Sequence, residues 1–229
     1  MTYQLYIGDR TFSSWSLRGW LMLEKFGLPY QANMVGLYGG TMQADLAHLA
    51  PARTVPVLQT AEGHVVTDSM AMAETLAENH PDKDLYPRDP AARALARSMT
   101  AEMHSGFGAL RNACPMVLSF AWEGFTPSDA VKADLRRIED LWALARERHG
   151  QNGPWLFGDY SLADVFYAPV AMRITAYDLP VSEQSRAYVA AHLTDPTFLA
   201  WRNEALKEDH SPFPYPLPLA QKPWPGETR

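Results

Sequence analysis

The sequence predicts an α/β domain followed by a bundle of helices. Strand and helix patterns alternate through residues 1–80, a polar stretch punctuated by proline follows, and only helical periodicity recurs beyond it. Residues 3–7 alternate as a strand does. Trp15, Leu17, Trp20, Leu21, Leu23 and Phe26 then recur at helical spacing until Gly27 and Pro29 stop the helix. A second extended piece covers residues 32–35, Gly39-Gly40 turns the chain, and residues 42–49 read as a short helix ended by Pro51. Residues 55–58 and Val65-Val66 flank a turn and read as a hairpin, and residues 70–78 close the segment as a helix. Pro81, Pro87 and Pro90 mark the linker, which places one domain at 1–80, the linker at 81–90 and the second domain at 91–229. Helical patterns there cover 91–113, 127–149, 161–177, 182–192 and 196–206. Six prolines after residue 211 make the tail an extended strap or a frayed end.

Composition narrows the function. The chain has 229 residues, 47% of them hydrophobic, which suits either one large domain or two small ones with real cores and excludes disorder and collagen. A net charge of -6 without a cluster of Lys and Arg gives no footprint for phosphate backbones, so no nucleic acid is expected as a partner. No membrane partner is expected either, because the longest uncharged stretch, 26–44, is loop-like, with four Gly and a Pro. Asp9 and Arg10 interrupt the N-terminus before an apolar leader forms, so the expected location is cytoplasmic. Cys114 is a lone cysteine and the seven His never pair at i, i+4, so neither a disulfide nor a metal site is expected.

Four segments are candidates for chemistry. Ser13, Ser14 and Ser16 lie at the start of the first helix, where unpaired amides and the helix dipole favour an anion; the same serines suit helix capping. Thr54-Val55-Pro56 puts a proline at a strand start, either as a cis turn that presents the Val55 backbone to a ligand or as an edge-strand proline. Asp68-Ser69 precedes a helix with no Glu or Gln three residues on, which leaves helix amides open for an anion unless the pair itself caps them. Ser161 with Asp164 is a capping-box variant and reads as a structural element.

Together these segments resemble the cytosolic glutathione transferases, above all the zeta class, which includes maleylacetoacetate isomerases. Ser13-Ser14-Trp15-Ser16-Leu17-Arg18 is similar to that class's Ser-Ser-Cys-Ser-Trp-Arg, with Trp15 in place of the cysteine. Thr54-Val55-Pro56 matches the family's cis-proline turn, Asp68-Ser69 its acidic-serine pair, and residues 158–165 the capping element of its sixth helix. Ser105-Gly106 with Leu110-Arg111-Asn112 is similar to the zeta pattern in the fourth helix, with Arg111 where the class has a glutathione-contacting Gln.

The resemblance implies a thioredoxin-like first domain, an all-α second domain and a homodimer. It implies glutathione as co-substrate, no metal, and a small electrophile as the second substrate. Ser13, or Ser14 if the loop is shifted by one residue, would donate to the glutathione sulfur. Thiol pKa values of about 8.5 fall to ~3.5–7.5 in such surroundings, so the thiolate nucleophile becomes abundant. Val55 and Pro56 would seat the cysteinyl part, Asp68 the γ-glutamyl amine, Ser69 the γ-glutamyl carboxylate, and Arg53 the glycyl carboxylate. Arg18 would raise the local positive potential or pair at the surface, and His104, Arg111 and Met116 would reach the substrate. Phe120, Trp122 and Phe125 would line a pocket with Met116 or form core.

Three other readings compete with a transferase. A glutathione-dependent cis-trans isomerase keeps the serine but lacks the zeta cysteine. A non-catalytic scaffold would retain the fold with a decayed site, whereas the site motifs here are intact. Thiol-disulfide exchange needs a cysteine by the first helix, where this chain has Ser13 and Ser16.

Overall fold

The structure, a computed structural model, describes residues 2–150, 153–208 and 213–225. The first strand, β1 (Tyr3–Ile7), buries Tyr3, Leu5 and Ile7 on one face, as its alternation requires. It pairs in parallel with β2 (Tyr30–Met34), Leu5 opposite Ala32, and antiparallel with β3 (Val57–Gln59), Leu5 opposite Leu58. With β4 (Val65–Val66) the sheet order is β2-β1-β3-β4, and β3 and β4 make the expected hairpin. Helices α1 (Ser14–Glu24) and α3 (Ser69–Asn79) contribute Leu17, Leu21, Met72 and Leu76 to the main core. The short α2 (Met42–Asp45) lies beside a smaller cluster of Val35, Leu46, Leu49, Val55 and Val57. That helix was expected to run to residue 49. It stops earlier because Leu46 begins a run of turns, in which Ala47 bonds back to Ala44 and Leu49 to Leu46.

After a 3-10 turn at Pro81–Lys83 the helices begin. Asp89 caps α4 (Pro90–Ser105), with Pro at its first position. The expected single helix over 91–113 is two helices, α4 and α5 (Gly108–Ala113). Gly106 is extended and Phe107 left-handed at φ 55, and a Cβ on Gly106 would stand 2.6 Å from the Glu102 carbonyl, so the chain breaks there and Phe107 enters the core. The remaining helices are α6 (Asp129–His149), α7 (Leu162–Tyr177), α8 (Glu183–Leu193) and α9 (Pro196–Ala205). Every residue of α7 is buried, and it contacts α1, α4 and α8. Asp164 fixes its start: Oδ2 accepts from the Ser161 amide (2.9 Å) and hydroxyl (3.0 Å), and Oδ1 from Leu156 N–H and the Tyr188 hydroxyl.

The described part of the tail is a strap. Its β6 (Gln221–Lys222) pairs antiparallel with β5 (Ala121–Trp122), a small ladder that the sequence did not announce. Among the described residues, no helix is long and apolar enough to cross a membrane.

Candidate active site

The loop from β1 to α1 is folded by Asp9, whose Oδ1 accepts from Phe12 N–H at 2.8 Å and whose carbonyl accepts from Ser13 N–H at 3.0 Å. Ser13 then caps α1. Its Oγ accepts from Ser16 N–H at 3.2 Å and donates to Ser16 Oγ at 2.8 Å, and Ser16 Oγ accepts from Gly8 N–H at 2.9 Å. The Ser13 proton is therefore engaged inside the loop. Ser14, at the first position of the helix, differs. Its Oγ accepts from Arg173 Nη2 at 3.3 Å, and no described residue accepts its proton.

Both serines line a cavity of about 470 Å³ with Val55, Arg111, Met116 and Arg173. The Val55–Pro56 bond is cis, which decides between the two sequence readings of that proline. Pro56 is buried against α1, where Gly19 permits the approach: a Cβ there would stand 2.8 Å from Pro56 Cβ.

Arg173 comes from the all-buried α7. Its guanidinium donates to the Cys114 carbonyl at 2.9 Å and the Pro169 carbonyl at 3.1 Å as well as to Ser14. Burial, then the nearby Arg111, lower its pKa to about 10, so it stays charged at neutral pH. Arg111 donates to the carbonyls of His104 and Gly106 and lies over the Trp15 ring, 4.8 Å from its centroid. Cys114 is no nucleophile: burial pushes its thiol up to about 12.

Other sequence candidates sit beside the cavity rather than in its lining. Arg18, expected to pair at the surface if not at the site, is 1% exposed and stacked over Trp15 (4.3 Å) and Phe166 (5.1 Å). Its Nε and Nη1 have no hydrogen-bond partner among the described residues, and burial, then Arg173 and Arg111, push its pKa well down. His104 packs edge-on to Trp15 and places Nε2 3.3 Å from Asp68 Oδ2. Of the two sequence readings of Asp68, capping is the one found: its Oδ1 accepts from Met70 and Ala71 N–H at the start of α3. Ser69 Oγ is buried without a partner among the described residues. Arg53 is exposed and outside the lining, and Phe120, Trp122 and Phe125 pack in or against the core.

Sequence reasoning missed Arg173, Tyr38 and Tyr215, all of which line the cavity. For Arg173 a signal existed: it is the lone basic residue of α7, in an otherwise apolar run.

The glutathione S-transferase N-terminal domain family matches residues 12–79. A probable maleylacetoacetate isomerase of Caenorhabditis elegans is 30% identical over 179 residues, 78% of this chain and 81% of that protein. The chain belongs to the glutathione S-transferase family. A maleylacetoacetate isomerase of Pseudomonas aeruginosa is 32% identical, over 72% of this chain and 78% of that protein, so the transferase is zeta-like. A glutathione transferase homologue from Burkholderia, solved with bound glutathione, is 24% identical, with a TM-score of 0.66 over 91% of this chain and all of that one. That likeness shows the fold, a thioredoxin-like domain followed by helices. As a member of this family the chain is an enzyme with glutathione-dependent activity.

Proposed function

We propose that this transferase activates the glutathione thiol with the Ser14 hydroxyl for attack on a small electrophile. One observation carries the reading: Ser14 Oγ lines the cavity with an acceptor position taken by Arg173 and with its proton unengaged. Ser14 donates to the sulfur, the N-terminal amides of α1 add their dipole, and Arg173 adds positive charge. Bound glutathione supplies the nucleophilic sulfur. Ser13 shapes the loop and is the alternative donor once its proton leaves Ser16. The Val55 backbone pairs with the cysteinyl part, and the unpartnered Ser69 hydroxyl takes the γ-glutamyl carboxylate, near Asp68 for the amine. Arg53 holds the glycyl carboxylate from the rim. No metal takes part. The functional units are the domains 1–80 and 91–229 joined by 81–90, working as a cytoplasmic homodimer.

The test is calorimetric titration of glutathione into the native protein, Ser13→Ala and Ser14→Ala, followed by spectroscopic titration of the bound thiol. Binding by all three, with the thiol pKa raised most in Ser14→Ala, supports the reading. A larger rise in Ser13→Ala transfers the role to Ser13, and no binding by the native protein leaves only a scaffold.

A second reading is favoured by Arg111 and Arg173, which give the cavity two guanidiniums suited to a carboxylate-bearing substrate. It is glutathione-dependent cis-trans isomerisation of a maleyl acid. Turnover of such an acid, with no conjugate accumulating, would distinguish it from transfer.

A further inference from the structure

The cavity has a wall that no site motif announces. Tyr38, in the loop between β2 and α2, and Tyr215, in the strap, both line it, and their hydroxyls meet at 2.6 Å although 177 residues separate them in the chain. Phe12, next to the two serines, packs edge-on against both rings, at 5.8 Å each. Burial, then the Tyr215 hydroxyl, hold the Tyr38 phenol above its ordinary range, so Tyr38 keeps its proton at neutral pH.

The strap holds Tyr215 from both sides. On one side Phe213 packs against Phe12 (5.1 Å), Phe120 (5.4 Å) and Trp122 (6.2 Å). On the other, Glu123 N–H donates to the Ala220 carbonyl, β6 pairs with β5, and the Trp224 ring is buried under Arg202 at 5.0 Å. Tyr215 itself stands between Pro214 and Pro216. Each proline fixes its own φ, and Pro216 restricts Tyr215 to extended backbone, so the ring sits on a stiff segment. A ring held in this way sets a fixed boundary, where a loose tail would yield to whatever entered.

We infer that Tyr215 determines specificity: its ring, packed on Phe12 and carried by the pinned strap, closes the cavity beyond the serines and limits the length of the group joined to the sulfur. The apolar lining from Leu37, Met42 and Met116 makes that group an alkyl or aryl chain. This rests on the cavity being the electrophile's site.

The experiment measures binding of S-methyl-, S-butyl-, S-hexyl- and S-octylglutathione by calorimetry. In the native protein, affinity rises roughly four-fold per methylene while the chain remains in apolar surroundings, then stops rising at the length that meets the ring. Tyr215→Ala moves that limit outward by about two methylenes on the same scale, and Tyr215→Phe, which keeps the ring, retains the native limit. An unchanged profile in Tyr215→Ala overturns the inference, as does a Phe variant that behaves like the alanine one. Failure of the native protein to bind even S-methylglutathione would instead refute the glutathione reading.

Discussion

Arg173, on the central helix of the second domain, donates through Nη2 to Ser14 Oγ on the first helix of the first, 159 residues away in the chain. This contact sets both the charge at the head of α1 and the direction in which the serine proton is free to point.

Replacing the guanidinium by an apolar stem of similar length separates these effects. Arg173→Met is expected to raise the pKa of bound glutathione by about one unit, as loss of a nearby cation does. It should also weaken KM for a carboxylate-bearing electrophile by about ten-fold, with little change for a neutral one. Titration of the bound thiol and paired KM measurements check this, and equal effects on both electrophiles would count against a charge role.

Trp15 holds two cations beside the site, with guanidiniums at 4.3 Å (Arg18) and 4.8 Å (Arg111) from its ring. Trp15→Cys, which installs the residue of the zeta pattern, removes both contacts and leaves space beside a buried cation. The expected cost is about 2–4 kcal/mol, read as a drop in denaturant midpoint. Trp15→Phe keeps a ring face and should recover most of it. A cysteine variant as stable as the native protein would show that Arg18 and Arg111 are held by something else.

Local rules made much of the fold legible. Tyr3 to Ile7 alternates, Gly27 and Pro29 stop a helix, and Ser161 with Asp164 starts another; each depends on residues a few positions apart. The break at Gly106-Phe107 was not legible, because Phe107 is drawn into the core by tertiary packing against its backbone preference. The serines and the Val55-Pro56 turn could be found from motif and spacing. Tyr38 and Tyr215 could not, since they meet the site only when distant elements pack, and Arg173 showed only as a lone charge in an apolar run, with nothing local to say that it reaches Ser14. For Asp68, the sequence offered capping of α3 or an open helix end, and packing of the chain gives the cap.

Gly19 governs how closely α1 approaches the turn that holds Val55. In Gly19→Ala the added Cβ meets Pro56 Cβ at 2.8 Å and Cγ at 2.9 Å, atoms of a rigid ring. Alanine favours a helix by up to about 1 kcal/mol over glycine, but overpacking costs about 1–3 kcal/mol, so the variant is expected to be less stable. Glutathione affinity should fall with it, because the serines shift relative to Val55. Gly39→Ala, where a Cβ meets nothing within 4 Å, is the control. Unchanged affinity in Gly19→Ala would show that the serines and the turn move together.

Acid stability depends on two buried groups of opposite sign. Burial lowers the pKa of His192 from 6.5 to about 3, so its contribution is complete above pH 6.5 and is lost as pH falls toward 3. Burial raises Asp164 from 3.8 to about 6, so its contribution is complete below pH 3.8 and is lost as pH rises through 6. Between pH 6.5 and pH 4, at about 1.4 kcal/mol per pH unit, the histidine's loss of about 3.5 kcal/mol is nearly offset by the aspartate's gain of about 3 kcal/mol. The native protein should therefore lose under about 1 kcal/mol of stability from pH 6.5 to pH 4. His192 Nε2 has no hydrogen-bond partner among the described residues and its ring packs edge-on to Tyr188 and Trp155, so His192→Phe keeps the packing and should reverse that limb into a gain of stability toward pH 4. Asp164→Asn should steepen it while lowering stability throughout, since four donors converge on the carboxylate and an amide cannot accept them all. Thermal melts of the three proteins between pH 4 and 7 decide the matter: the same slope in His192→Phe as in the native protein would exclude His192 as the source of acid lability.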